Sequence, residues 1–278
     1  MISLLLWFGH ALAINPSIPA EETIWNQVVW IQSPGLERGE IITGFCNATL
    51  ISGQYLVTAA HCVHHAYVMR YYEISIQFGQ YVYRKEKDNV VRRVGYRSQS
   101  PKTYQAQYYF LPSLKRQFDS NGYRAKIEPS VDIALVKLHK PVDQMHHLNF
   151  GSIKLMSPRL QRQLGNNWVS YWPTVVSVNY LETISHSDSR QKSQLDQIKV
   201  FTNHLESQSR SRLTPGDSGA PLFIRSGSEW FLAAITKGRA ETLFTNWDVF
   251  TITGQNLCKL LNLASPESSD IHSNACEL

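Results

Sequence analysis

Three short segments hold residue types that together can transfer an acyl group. They are Thr58-Ala59-Ala60-His61-Cys62, Asp132-Ile133-Ala134-Leu135 and Pro215-Gly216-Asp217-Ser218-Gly219-Ala220-Pro221-Leu222. A serine hydroxyl is a weak nucleophile until an adjacent imidazole takes its proton. The imidazole needs a carboxylate to fix its tautomer and stabilise its charged form. His61, Asp132 and Ser218 supply one group of each kind. Singly, each segment has a plainer use: a structural histidine, the start of a strand, a glycine turn. Jointly, and in this order, they point to catalysis.

Positioning such groups falls to a β-rich scaffold. Short apolar-alternating runs recur at 27–31, 49–58, 73–78, 134–138, 169–178, 198–202, 221–224, 231–236 and 249–252. Many short strands separated by Gly, Asn and Ser predict a sandwich or barrel. Leu257, Leu260 and Leu261 fall at helical spacing and predict a helix over 254–263. Two polar stretches read as loops: Tyr96 to Pro129, rich in tyrosine, and Leu181 to Gln194. Loops of that length in a compact domain tend to carry function, so shortening the first is expected to change specificity more than stability.

The chain has 278 residues and a net charge of +5, with its basic residues scattered apart from 84–85, 92–93 and 210/212. A nucleic-acid footprint needs a clustered stripe, and none is expected here. No apolar run is long enough to span a bilayer. Residues 1–13, an apolar stretch ending Ala11-Leu12-Ala13, read as a secretory signal, although the stretch is short and lacks a basic start. Export predicts a secreted or periplasmic protein with no membrane anchor after signal removal. Four cysteines in an exported chain suggest two disulfides, but their number leaves the pairing, or free buried thiols, open. His64 and His65 follow His61 without a zinc-like ligand set, and read as exposed loop residues. The sequon Asn47-Ala48-Thr49 lies on an expected buried strand and is discounted as a glycosylation site.

The three segments, in the order His, Asp, Ser, resemble the trypsin/chymotrypsin-like serine proteases; subtilisin and α/β-hydrolase orders differ. The resemblance runs from about Trp25 to Leu263. It implies an all-β fold of two packed six-stranded antiparallel β-barrels with a C-terminal helix. The N-terminal barrel, over 14–150, would carry His61 and Asp132. The C-terminal barrel and helix, over 151–263, would carry Ser218, and 264–278 would form a tail. His61 would be the general base, Asp132 its orienting partner and Ser218 the nucleophile. The N–H groups of Gly216 and Ser218 would form the oxyanion hole. Cys46 and Cys62 resemble the family's disulfide beside the catalytic histidine; Cys258 and Cys276 flank the tail and would tie it back. Val169-Ser170-Tyr171-Trp172-Pro173 looks like the motif opening the second barrel, and Ile235-Thr236-Lys237-Gly238 like the strand that pairs with substrate backbone. Thr236 and Gly238 are therefore candidate substrate-binding residues. The family needs no metal or organic cofactor.

The chain departs from the family at several points. Thr214 stands where a cysteine often sits, and Lys237 where an aromatic residue is usual on the substrate-pairing strand. Arg212 aligns with the floor of the primary pocket and Asp248 with a pocket-wall glycine. These two could pair with each other, Arg212 could face an acidic substrate side chain, or Asp248 could select Lys or Arg. No Arg-Ile-Val-Gly-Gly activation site exists. Cleavage after Ala13 would instead expose Ile14, whose amine could pair with Asp217. The leading expectation is a secreted serine endopeptidase acting on protein or peptide substrates. A protease-like binding protein using tyrosine-rich surface, or an esterase with the same triad, are the alternatives.

Overall fold

The computed structural model describes residues 18–19, 26–37, 40–85, 91–98, 100–142, 153–178, 190–195, 197–208, 213, 216–241, 246–264 and 275–276. The strands of the first half, in chain order, are β1 (Ile18–Pro19), β2 (Val28–Glu37), β3 (Glu40–Leu50), β4 (Tyr55–Thr58), β5 (Glu73–Gln77), β6 (Gly79–Lys85), β7 (Val91–Ser98), β8 (Lys102–Phe110) and β9 (Ala134–Leu138). The second half adds β10 (Ile153–Leu155), β11 (Thr174–Val178), β12 (Arg190–Gln194), β13 (Ile198–Val200), β14 (His204–Ser207), β15 (Pro221–Ser226), β16 (Glu229–Glu241) and β17 (Asn246–Ile252). Among the described residues four α-helices accompany them: α1 (His64–Val68), α2 (Pro112–Asn121), α3 (Pro158–Leu164) and α4 (Gly254–Ala264).

Strands β2, β3, β4, β9, β8 and β5 close into an antiparallel barrel, as the resemblance implies for the first half. Closure leaves no unpaired edge, and the inward residues fill the interior. Val28, Ala48, Leu56, Val57, Ile76 and Leu135 are all inaccessible to solvent. The second half is a nine-stranded sheet among the described residues, in the order β1-β12-β11-β15-β16-β17-β14-β13, with β10 parallel to β16. Its own core gathers Trp168, Leu222, Ile224, Ala234 and Phe250.

Chain position and packing do not coincide at either end. Strand β1 lies in the stretch assigned to the first barrel, yet pairs with β12 of the second sheet. Helix α4 follows the second sheet, yet its Leu257, Leu260 and Leu261 join the core of the first barrel. Each terminal element thus crosses to the other half. The described Cys258–Cys276 disulfide ties α4 to the tail, and Cys46–Cys62 ties β3 to the histidine turn.

The stretch 96–129 is not a loop. It contains β8, which closes the barrel between β5 and β9, and then α2. Tyr104, Ala106, Tyr108 and Phe110 point inward and Thr103, Gln105 and Gln107 outward, the two-residue alternation of a half-buried strand. Two of its tyrosines are therefore core residues; Tyr108 donates its hydroxyl to the Glu73 carbonyl at 3.0 Å. Cutting this strand would open the barrel, so stability rather than specificity depends on it. In the 181–194 stretch, 190–194 is β12; the remainder lies outside the described residues. The expected run at 169–178 is also shorter: Trp168–Tyr171 forms a 3-10 turn, Trp172 adopts φ 53°, and the strand begins at Thr174. At 49–58 a turn at 51–54 separates β3 from β4.

His64 is likewise not an exposed loop residue. It opens α1 and is only 8 % exposed. Its Nδ1 lies 3.1 Å from the His61 carbonyl, and its ring stacks on Phe118 of α2 at 5.3 Å. Burial, reinforced by the neighbouring His65, lowers its pKa to about 4. Phe118 also meets Phe110 edge-on at 4.9 Å, so one side chain packs α2 against both β8 and the histidine turn. Replacing Phe118 by Ala is expected to cost about 3–5 kcal/mol, the usual range for a buried aromatic. Urea denaturation measures this, and a loss below about 1 kcal/mol would contradict this packing role.

Candidate active site

The site is built around a carboxylate removed from water. Asp132 precedes β9 and is fully buried. Its Oδ1 accepts the backbone N–H of His61 at 2.9 Å, and its Oδ2 lies 2.9 Å from His61 Nδ1. The two bonds hold the backbone and ring of the histidine against one group. With Nδ1 donating, Nε2 is left as the acceptor of a proton. Burial alone raises the Asp132 carboxyl, but the charge and hydrogen bonds of His61, joined by the Lys237 ammonium, outweigh it and hold it at about 2.

The histidine itself sits in a short turn at Ala60–Cys62, at the end of β4. Ala59 and Ala60 are completely buried, and the Cys46–Cys62 disulfide anchors the turn to β3. Ser33 of β2 donates its hydroxyl to the Cys62 carbonyl, a third attachment. His61 Nε2 lies 3.7 Å from Cys62 Sγ. Cys46 and Cys62 cluster with His61, but their sulfurs are bonded to each other and are not thiolate metal ligands.

Ser218 arrives from the second half, on the segment ahead of β15. Two contacts from Asn47 of β3 dock this segment on the barrel. Its backbone N–H donates to the Ser218 carbonyl at 2.7 Å, and its side-chain amide donates to the Gly216 carbonyl at 2.8 Å. Gly216 adopts φ 100° and Gly219 φ 79°, conformations that glycine tolerates and other residues resist. At Gly219 a Cβ would also come within 2.0 Å of the Asn47 carbonyl oxygen and 2.4 Å of Thr58 Oγ1. That close approach explains the Asp-Ser-Gly sequence better than the turn alone does. Ser218 Oγ donates to the Lys237 carbonyl at 3.4 Å. The histidine–aspartate link is thus closed in this structure, whereas the serine hydroxyl is turned to β16. Catalytic hydrogen bonds are often loose before substrate binds.

Asp217 is 1 % exposed and its Oδ1 accepts the Ser177 hydroxyl at 2.6 Å. Its suggested partner Ile14 lies outside the described residues, as do Arg212 and Thr214. Asp248 is 1 % exposed; its Oδ1 lies 3.6 Å from Arg239 Nε, and its Oδ2 accepts the Leu213 N–H at 3.2 Å. Arg239 Nη2 donates to the Leu213 carbonyl at 2.7 Å. Arg239, not considered in the sequence, is therefore a partner that Asp248 has in the fold.

On the strand expected to pair with substrate, Thr236 is bonded to the serine segment. Its side chain is buried, its N–H donates to the Ala220 carbonyl and its carbonyl accepts from Gly219, both at 2.8 Å. Both bonds tie β16 to the serine segment. Gly238 lies at an irregularity in the β16–β17 register with φ 139°. Between them, Lys237 sends its side chain to Asp132, with Nζ 3.0 Å from Oδ2 and 2.7 Å from the Ile127 carbonyl.

Asn47, Thr58, Arg239 and the reach of Lys237 were not legible as site features. Asn47 belongs to a sequon and Thr58 opens the histidine segment. Only the approach of the serine segment gives them their roles. Replacing Asn47 by Ala or Asp removes the donor to the Gly216 carbonyl. Each variant is expected to lose about 0.5–1.5 kcal/mol of stability, the usual net contribution of one hydrogen bond, because Gly216 is exposed and water can replace the lost donor. An unchanged urea midpoint in both would show that the segment does not depend on this amide.

Comparison with known proteins comes to the same point. No individually curated protein matches the chain. A family model described as Trypsin matches residues 25–251, a span that contains His61, Asp132 and Ser218. The closed six-stranded barrel, the second sheet and the C-terminal helix are consistent with the chymotrypsin fold of that family. The chain belongs to the trypsin family.

Proposed function

We propose that this trypsin-family chain is a secreted serine endopeptidase, with His61 as general base, Asp132 as its orienting partner and Ser218 as nucleophile. The observation that carries this reading is the pair of hydrogen bonds from the His61 backbone N–H and ring to Asp132, at 2.9 Å each. A buried carboxylate placed there has a clear chemical use: it stabilises the imidazolium that forms when the ring takes a proton. A rotation of Ser218 Oγ away from the Lys237 carbonyl would let it donate to His61 Nε2. Attack on a peptide carbonyl would then form the C–O bond of a tetrahedral intermediate as the serine proton passes to His61. Collapse would break the C–N bond, with the same proton going to the leaving amine. Water would release the acyl group by the reverse pattern. The oxyanion would fall to the N–H groups of Gly216 and Ser218, where fixed donors contribute a large share of catalysis.

Export is part of the proposal. It is supported by the signal-like residues 1–13 and by two disulfides, which persist in oxidising compartments. Signal removal after Ala13 would free the Ile14 amine to reach Asp217, ordering the serine segment in an order–disorder step. A second reading, a protease-shaped binding protein, is favoured by the turned-away Ser218 hydroxyl and by the Arg239–Asp248 pair at an aligned pocket-wall position.

Labelling of the exported protein with a fluorophosphonate separates the two. The expected result is labelling of the wild type and none of Ser218→Ala. A folded, signal-processed wild type that stays unlabelled would overturn the endopeptidase reading in favour of the binding protein. Ester turnover without peptide cleavage by a labelled protein would make it an esterase instead.

A further inference from the structure

The Asp132 carboxylate has a third partner whose chemistry the triad does not require. Lys237 projects from β16 of the second sheet, and its ammonium bonds the same Oδ2 that faces the His61 ring. The contact is built rather than incidental. Nζ is held on its other side by the Ile127 carbonyl at 2.7 Å, and the Lys237 side chain is only 26 % exposed. The segment it grips is fixed independently: Thr251 Oγ1 lies 2.6 Å from the Pro129 carbonyl and Asn256 Nδ2 donates to the Ser130 carbonyl at 3.0 Å.

We propose that Lys237 is a positioning residue for the catalytic carboxylate, keeping Asp132 ionised and aimed at His61 and so extending activity to more acid pH. The inference rests on the triad reading above and deepens it. The physical argument is one of charge in a closed space. Burial favours the neutral carboxyl, whereas an ammonium in contact favours the carboxylate. The titratable and charged groups facing Asp132 and His61 are few among the described residues. They are Lys237 from β16, His64 from α1 with its Nδ1 on the His61 carbonyl, and His65 stacked on His64 at 3.9 Å. Of these, Lys237 is the cation in contact with the carboxylate. Without it, Asp132 keeps only its bonds to His61, and the positive charge that opposes protonation of the ring at the same oxygen is lost.

The test measures the rate of Ser218 modification by a fluorophosphonate as a function of pH, for the wild type, Lys237→Met and Lys237→Gln. The acid limb, where the imidazole that must take the serine proton gains one of its own, is expected to move up by about one pH unit in both variants because the ammonium opposing that positive charge is gone, about a tenfold slower rate at a fixed pH on that limb. Gln can still donate a hydrogen bond, so a merely structural role would leave its limb in place. A Lys237→Gln limb matching the wild type overturns the proposal, also where Lys237→Met fails to fold. A second readout needs no activity: the ¹³Cγ shift of Asp132 followed over pH in the wild type and Lys237→Gln. A higher titration midpoint in the variant supports the role of Lys237 and equal midpoints overturn it, even if the wild type proves inert and the endopeptidase reading falls.

Discussion

A carboxylate buried at the junction of two β structures is the constraint on which the rest of this molecule depends. Removing an unpaired carboxylate from water costs several kcal/mol even after the protein relaxes. Asp132 escapes that cost because each oxygen is engaged: Oδ1 by the His61 N–H, Oδ2 by the His61 ring and the Lys237 ammonium. Those donors come from different halves of the chain. His61 follows a strand of the barrel, and Lys237 lies in the second sheet. The third of these donors reaches the carboxylate only when the halves are assembled. The same closure places the histidine ring, so folding and the poise of the site share one set of bonds.

The serine segment is bound by a parallel logic. It belongs to the second half, but its carbonyls at Gly216 and Ser218 are held by Asn47 of the barrel. Gly219 lies so close to the Asn47 carbonyl and Thr58 that a side chain there would collide. The C-terminal helix adds the apolar part of this junction, burying Leu257, Leu260 and Leu261 in the core of the first barrel. Polar contacts thus set the register between the halves, while apolar burial supplies the non-directional attraction. The Arg239–Asp248 pair and its hold on Leu213 place charge beside the serine segment.

Much of the fold was legible because its signals are local. Alternation pointed to most strands, leucine spacing to the helix, and the residue types around His61, Asp132 and Ser218 to the candidate site. The stretch 96–129 was misread because its composition is polar, although Tyr104, Ala106, Tyr108 and Phe110 alternate as a strand should. Tyr104 and Tyr108 fill the barrel wall, whereas Tyr123 is exposed. His64 was misread for a similar reason: a polar residue name hid a buried ring stacked on Phe118. Lys237, Asn47 and Arg239 were illegible for a different reason. Their partners lie 105, 169 and 26 residues away in the chain, and no local pattern records such meetings.

The central claim is that His61 is held by its Nδ1 against an ionised, buried Asp132. Proton NMR of the full chain observes that hydrogen directly, because exchange with water is slow only when it is bonded and shielded. A low-field ring N–H resonance is expected in the wild type and in Ser218→Ala, and its loss is expected in a folded Asp132→Ala. A folded wild type without that resonance, or its persistence in Asp132→Ala, would contradict the account.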